Sequence, residues 1–150
     1  MITTEMYFGS KPHGEGHTAA ALDLLGRRNA LRVEWCQATG KECPIDPDTG
    51  TEISGTRGGN GDGGFRLATA TTGKLSSSHK EARAVDDYDG PGNEFDTWLD
   101  QFEVPMPDGS AGGNAKLEQH GLYREHPDAT PTWVHLTTRA PGSGRRTFQP

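Results

Sequence analysis

The stretch SSSHKEARAVDDYD, residues 76–89, contains the segment on which the expected fold depends. Ala84, Val85 and Asp86 predict a β-strand, with Ala84 and Asp86 on one face because side chains alternate along a strand. His79 then lies in the loop that leads into this strand. A histidine and a carboxylate are thus separated by seven residues across a loop-to-strand junction.

Two further strands are predicted near the end of the chain. The stretch GLYREHPDATPTWVHL, residues 121–136, has two short strand-like pieces around a proline-containing turn. In the second piece, Trp133 and His135 share one face, and Val134 and Leu136 occupy the other.

Helical periodicity marks two other segments. In residues 94–102, apolar side chains recur with the spacing i, i+3, i+4 and i+7, which predicts a helix packed on the core. These side chains are Phe95, Trp98, Leu99 and Phe102. Residues 18–33, TAAALDLLGRRNALRV, predict a second helix, with Thr18 as its N-cap. Residues 51–54 predict a short strand.

This order of elements predicts a small α+β domain with a central antiparallel sheet flanked by helices. A length of 150 residues suits one domain, spanning residues 1–150. The core should be modest, because only 31% of the residues are hydrophobic and the chain has 21 Gly and 10 Pro. Residues 1–16 are expected to be rich in loop, and the aperiodic tail 138–150 either wraps the domain or stays mobile.

The charge balance argues against a nucleic-acid partner. The formal net charge is −6, whereas nonspecific binding to nucleic acid needs a basic face. Arg27, Arg28 and Arg32 are interpreted as the solvated face of the first long helix. No run has the apolar length of a membrane span, and no signal peptide is recognisable at the N-terminus, so neither membrane insertion nor an export signal is predicted.

Two other features receive no catalytic role. Cys36 and Cys43 lack the spacing of paired structural zinc ligands, and both a loop-closing disulfide and two free thiols stay open. The glycine-rich stretch GGNGDGGF, residues 58–65, lacks the Gly-Lys-Ser/Thr ending of a phosphate-binding loop and is interpreted as a flexible loop.

The candidate chemistry lies with His79, Asp86 and His135. Two imidazoles and one carboxylate form a ligand set that suits Zn²⁺ and leaves the fourth tetrahedral position for water. An open position is typical of catalytic rather than structural zinc. Spacing alone is weak evidence, because His and Asp at arbitrary separations are common.

Ordered motifs strengthen this interpretation. SGTR at residues 54–57, SSH with the downstream AVD in residues 77–86, and WVH at residues 133–135 resemble the motifs SGxR, SxHxxGxAxD and WxH. Those motifs belong to the superfamily of D-alanyl-D-alanine carboxypeptidases and hedgehog-type zinc peptidases. The closing stretch, residues 121–148, also resembles the end of small phage-encoded members. The likeness covers most of the chain, from about residue 29 to residue 148.

The resemblance implies roles for individual residues. His79, Asp86 and His135 become zinc ligands on the face of the sheet, and Arg57 would contact the substrate's carbonyl or carboxylate beside the metal. Ser77 would orient the site or touch the peptide. A surface arginine in a turn and a plain loop serine are the alternatives for Arg57 and Ser77.

The chain departs from the superfamily pattern at three positions. Ala82 stands where the motif has Gly, which matters only if that position needs a positive φ. Asp87 stands where an apolar strand residue is usual, so that strand face is expected to be wet. Thr132 occupies the place, three residues before the last His, where many members have the acidic general base.

Other residues are therefore candidates for the missing catalytic roles. Glu125 and Asp128 are the nearest acidic side chains, and Glu125 is favoured as the base because it lies in the phage-like segment. His126 would help to bind the oxyanion. A solvated turn residue is the alternative for each of the three.

The resemblance implies zinc-dependent hydrolysis of amide bonds in peptidoglycan stem peptides or cross-bridges, as carboxypeptidase or endopeptidase. The protein would be made in the cytoplasm of a phage host and act on the cell wall, in an endolysin or in a virion tail next to other tail proteins. The first alternative is a noncatalytic zinc-binding virion component, which Thr132 favours. The second is a metal-free structural domain.

Overall fold

A computed structural model describes residues 1–55, 63–71 and 76–150 of the chain. These residues form a small α+β domain, as the sequence predicts, and they contain four α-helices and a four-stranded sheet. The helices are α1 (Thr4–Phe8), α2 (Glu15–Thr39), α3 (Glu94–Asp100) and α4 (Ala115–His120). The sheet strands are β1 (Ala84–Tyr88), β4 (Tyr123–Glu125), β5 (Trp133–Thr137) and β6 (Thr147–Phe148), and β2 (Glu103–Val104) pairs with β3 (Gly113–Asn114).

The four-stranded sheet is mixed, whereas an antiparallel sheet is predicted. Its order is β1-β5-β4-β6, with β1, β5 and β4 antiparallel and β6 parallel to β4. The parallel strand belongs to the tail 138–150. That tail turns back after β5 and places the Phe148 carbonyl where it accepts a hydrogen bond from the His126 amide, 2.8 Å away. The tail therefore wraps the sheet edge.

Helix α2 begins earlier and ends later than the predicted helix. Gly14 is the N-cap, and the carbonyl of Gly14 accepts a 3.0 Å hydrogen bond from the Thr18 amide, so Thr18 lies inside the first turn rather than at the cap. The helix ends at Gly40, whose φ of 70° is the left-handed conformation that glycine adopts readily.

The interpretation of Arg28 and Arg32 as solvated is wrong, and so is the expectation that Asp87 lies on a wet face. All three side chains are fully buried where α2 packs on β1. Asp87 accepts hydrogen bonds from both guanidinium groups, at 2.6 and 2.9 Å from Arg28 and at 3.0 and 3.1 Å from Arg32. Arg28 also donates a 2.6 Å hydrogen bond to Glu52, so the two guanidinium groups face two carboxylates, and this compensation is the condition for burying them. Arg27 alone stays partly exposed.

The predicted helix over residues 94–102 is confirmed in its position and in its buried face. Phe95, Trp98 and Leu99 are buried, and Phe102 is partly buried just beyond the last turn. The Asp89 carboxylate accepts hydrogen bonds from the Phe95 and Asp96 amides, at 2.8 and 2.9 Å, and so satisfies amides of the first turn.

The remaining segments differ in detail from the sequence expectations. Part of residues 1–16 is helical, because α1 buries Tyr7 and Phe8 in the core. Residues 51–54 make two isolated bridges, from Thr51 and Ile53, rather than a strand. The Cys36 and Cys43 thiols are free, with their sulfur atoms 3.8 Å apart. No helix among the described residues is long and apolar enough to cross a membrane.

Candidate metal centre

Strand pairing brings two of the three predicted ligands together. In the antiparallel pair of β1 and β5, Asp86 lies directly opposite His135. Directly opposed residues project from the same face of a sheet, so the carboxylate and the imidazole are neighbours. His79 reaches them from the 3₁₀ turn Ser78–Glu81, which immediately precedes β1.

The ligand atoms of these three residues converge. The distance from His135 Nδ1 to Asp86 Oδ1 is 2.8 Å, and His79 Nε2 lies 3.2 Å from the same oxygen. The two imidazole nitrogens are 3.3 Å apart. All three side chains are buried, with at most 11% exposure, and the group could hold a metal ion.

A second layer of contacts orients His79. Its Nδ1 lies 2.8 Å from the Gly64 carbonyl oxygen, which can only accept, so Nδ1 carries a hydrogen and Nε2 is the atom that faces the cluster and that could bind a metal after losing its own proton. Gly64 also packs closely against Tyr7. This position needs glycine, because a Cβ there would lie 2.6 Å from the Tyr7 carbonyl oxygen.

Asp86 is oriented in the same way. The Arg66 Nη2 group lies 3.2 Å from Asp86 Oδ2, which leaves Oδ1 to the two imidazoles. The segment that holds Arg66 is fixed against β1, since the Asp86 amide donates a 2.7 Å hydrogen bond to the Gly63 carbonyl. One carboxylate oxygen, rather than both, therefore faces the cluster.

The protonation equilibria reflect this crowding of charge. Burial raises the pKa of Asp86, but the charge of His79 and hydrogen bonds from both histidines outweigh it and hold that pKa well below its ordinary range. Burial lowers the pKa of His135, but the hydrogen bond and charge of Asp86 and the charge of Glu125 raise it overall. Asp86 is thus ionised, as a metal ligand must be.

The cluster opens into a cavity of about 630 Å³. Three sides of this cavity are formed by the 3₁₀ turn, by the outer face of β5 and by the C-terminal tail. Besides the cluster, its lining residues include Arg66, Ser77, Glu125, Trp133, Arg139 and Phe148. A ligand in the cavity would reach the three ligand atoms together with a free carboxylate and a serine.

The other predicted site residues have different outcomes. Glu125 and Ser77 line the cavity, as their proposed roles require. His126 and Asp128 are not among the described lining residues. They contact each other at 3.4 Å instead, and the Asp128 side chain is 89% exposed. Arg57 lies outside the described residues.

Two cavity arginines, Arg66 and Arg139, were not predicted from the sequence. No local pattern marks Arg66, because its contact with Asp86 depends on how the segment after Gly63 packs against β1. Arg139 lies only four residues beyond His135, so extension of the strand face past Thr137 is the signal that could have found it.

Ala82 occupies a demanding backbone position. Ala82 has φ 56° and ψ 32°, and it closes the 3₁₀ turn that carries His79. Positive φ is unfavourable for a residue with a Cβ. The condition under which this departure matters is therefore met.

Compared with known proteins, the chain matches no family model, no curated protein and no solved structure.

Proposed function

We propose that this protein is a zinc-dependent peptidase that hydrolyses amide bonds in peptidoglycan peptides, as carboxypeptidase or endopeptidase, in phage-encoded degradation of the cell wall. The observation that carries the proposal is the spacing of His79, Asp86 and His135. Ligand atoms about 2.0–2.2 Å from a tetrahedral zinc ion lie about 3.3–3.6 Å from one another. The separations of 3.2 and 3.3 Å are close to this geometry, and the 2.8 Å hydrogen bond between His135 and Asp86 would lengthen when a metal replaces its proton.

Zinc held there supplies Lewis-acid polarisation of an amide carbonyl and activation of water. The chain supplies the proton transfer. Glu125 lines the same cavity and is the acidic residue suited to accept a proton from water and deliver it to the leaving amine. Asp128 is not suited to this role, because its carboxylate points into solvent beside His126. Ser77, on the cavity wall, would contact the peptide.

The peptidoglycan substrate rests on the ordered motifs SGTR, SSH with AVD, and WVH, and on the phage-like closing stretch. An origin in an endolysin or in a virion tail, next to other tail proteins, rests on the same stretch.

The test uses zinc-loaded protein, purified peptidoglycan and two matched carboxylate variants. Wild type should bind one zinc and release new amines, with the cleaved bond identified by mass spectrometry. Glu125→Gln should keep zinc and lose activity by about 10²- to 10⁴-fold, which is the usual contribution of a general base. Asp128→Asn should match wild type. Unchanged cleavage by His135→Ala would refute the proposal.

A second candidate is a noncatalytic zinc-binding virion component that stabilises the particle or binds wall peptide. Thr132, in place of the expected acidic residue, favours it. The position of Glu125 in the cavity favours catalysis instead. A protein that binds one zinc, binds peptidoglycan and releases no amines would establish the noncatalytic alternative.

A further inference from the structure

Arg139 borders the cavity two residues beyond the end of β5. Its Nη1 group donates a 2.8 Å hydrogen bond to the Ser76 carbonyl, and its backbone amide donates a 3.0 Å hydrogen bond to Thr137 Oγ1. The side chain is still 43% exposed. The guanidinium group is therefore held in place from one side and open on another.

The positive charge of Arg139 is only weakly compensated. Both Glu81 carboxylate oxygens lie 3.4 Å from Nη1, beyond the 2.7–2.9 Å typical of strong charge-assisted hydrogen bonds, and the Glu81 side chain is 47% exposed. An exposed ion pair of this kind contributes little to stability. Within residues 1–55, 63–71 and 76–150, no hydrogen bond is made by Nε or Nη2 of Arg139.

The other arginine of the cavity is placed differently. Arg66 contacts the metal-facing Asp86, and its side chain is only 11% exposed. Arg139 is thus the cavity arginine that presents hydrogen-bond donors to an incoming ligand. A planar guanidinium fork matches a carboxylate in geometry and charge.

The distance along the strand sets where that carboxylate would be. Arg139 follows His135 by four residues, and at about 3.4 Å per residue this separation is up to about 14 Å. An extended peptide spans about 3.3–3.6 Å per residue. The bound carboxylate therefore lies within about four residues of the bond at the metal.

We infer that Arg139 is a substrate-binding residue that selects peptides with a free carboxylate within about four residues of the scissile amide. This inference rests on the proposed peptidase function and deepens it. The carboxylate can be the C-terminus of the peptide or a side-chain or main-chain carboxylate of an internal acidic residue, and both offer the same chemistry to the guanidinium group. Carboxamide forms of the same peptides are poor substrates.

The experiment compares synthetic stem peptides in which each carboxylate in turn is converted to the carboxamide, so that a terminal and an internal source are distinguished. Wild type should show about a tenfold loss of kcat/KM, mainly through KM, at one of these positions. Arg139→Gln should show the same loss of kcat/KM on the acidic peptide and should cleave the acid and amide forms equally well. Arg139→Lys should retain part of the preference. Arg83→Gln, an exposed arginine that donates only a long 3.4 Å contact to Thr138 and does not line the cavity, is the matched control.

Equal cleavage of every acid and amide pair by wild type would overturn the inference while leaving the peptidase function intact. So would discrimination that persists in Arg139→Gln. If wild type cleaves no peptide, the peptidase function fails, and calorimetric affinities of the zinc-loaded protein for the same pairs then decide the role of Arg139. Equal affinity for acid and amide would overturn it, and about tenfold tighter binding of the acid that Arg139→Gln abolishes would support it.

Discussion

Asp86 and Asp87 are adjacent carboxylates on one strand, and the two faces of β1 give them opposite surroundings. Asp86 faces two imidazoles and a cavity, whereas Asp87 faces two guanidinium groups in the interior. The alternation of side chains along a strand separates them. One residue step thus divides a candidate metal site from an ion cluster that joins α2 to the sheet.

The difference lies in the partners rather than in the carboxylates. Arginine stays charged at any ordinary pH, so Arg28 and Arg32 compensate Asp87 permanently and give that face a structural role. Imidazole can be neutral and can bind a metal through a lone pair. The partners of Asp86 can therefore exchange a proton for a metal ion, and the cavity gives that ion access to solvent and substrate.

The largest expected effect is the loss of charge on the interior face. Asp87→Asn keeps the side-chain volume but removes the carboxylate that Arg28 and Arg32 share. Arg28 keeps its 2.6 Å ion pair with Glu52, but Arg32 loses its ion pair while buried, so the free energy of unfolding should fall by about 3–5 kcal/mol. Urea unfolding followed by circular dichroism measures this loss. Asp86→Asn, on the cavity face, should reduce the free energy of unfolding of the metal-free protein clearly less. Equal losses in the two variants would contradict a structural role for Asp87 and a metal-binding role for Asp86.

A companion variant separates uncompensated charge from lost packing. Replacing the trio by apolar residues of similar size, with Arg28→Met, Arg32→Met and Asp87→Leu, removes the three fully buried charges at once, and Glu52, which loses its ion pair with Arg28, keeps the N-terminal amino group as a partner. Stability should return close to the wild-type value, because desolvation of the ions offsets their attraction. A triple variant as unstable as Asp87→Asn would show that packing rather than charge dominates.

The cavity face should respond to metal. Zinc at one hundred times its Kd should stabilise wild type by about 2.7 kcal/mol against unfolding, since it binds only the folded site. His79→Ala and His135→Ala should lose both this shift and stoichiometric zinc. His126→Ala, outside the lining of the cavity, is the control that should behave as wild type. Thermal unfolding with zinc and with chelator gives the shift, and an equal shift in His135→Ala would exclude the site.

Acid should lower the free energy of unfolding through Asp87, and the loss per pH unit should be smaller than the effect of zinc. Burial raises the pKa of Asp87, but the charges and hydrogen bonds of Arg28 and Arg32 outweigh it and lower that pKa. The unfolded chain then binds more protons than the folded one, so stability falls as pH drops from about 4 through the folded pKa. The slope from this one group is at most about 1.4 kcal/mol per pH unit. Asp87→Asn should show a correspondingly shallower slope in urea unfolding measured from pH 6 to 3, and an unchanged slope would contradict the assignment.

The two faces also differ in how well the sequence predicts them. The positions of His79, Asp86 and His135 follow from local information, namely strand alternation and short ordered motifs. The partners of Asp87 do not, because Arg28 precedes it by 59 residues and only the packing of α2 on β1 brings them together. Polar residues on a helix are usually solvated, so the rule that fails here is one that holds for most helices.

Long-range packing explains the other differences as well. Strand β6 has two residues and no periodicity, and it exists because the tail returns to the edge of β4. Arg66 enters the site through the contact of Gly63 with Asp86. Glu125 was predicted as the base from its sequence neighbourhood, and its place on the cavity wall follows from the pairing of β4 with β5.

The smallest expected effect concerns the turn that delivers His79 to the cavity face. Ala82→Gly should stabilise the fold by about 1–2 kcal/mol, because it removes the penalty of a Cβ at φ 56°. It should also destabilise the fold, by about 0.8 kcal/mol through the loss of a fully buried methyl group and by about 0.4–1 kcal/mol because the unfolded chain gains conformational entropy. These terms nearly cancel, so stability in urea should change by less than about 1 kcal/mol. Zinc affinity should stay within about threefold of wild type, because the hydrogen bond from His79 to the Gly64 carbonyl still orients the ring. A tenfold change in affinity would show that Ala82 itself, rather than that hydrogen bond, positions the histidine.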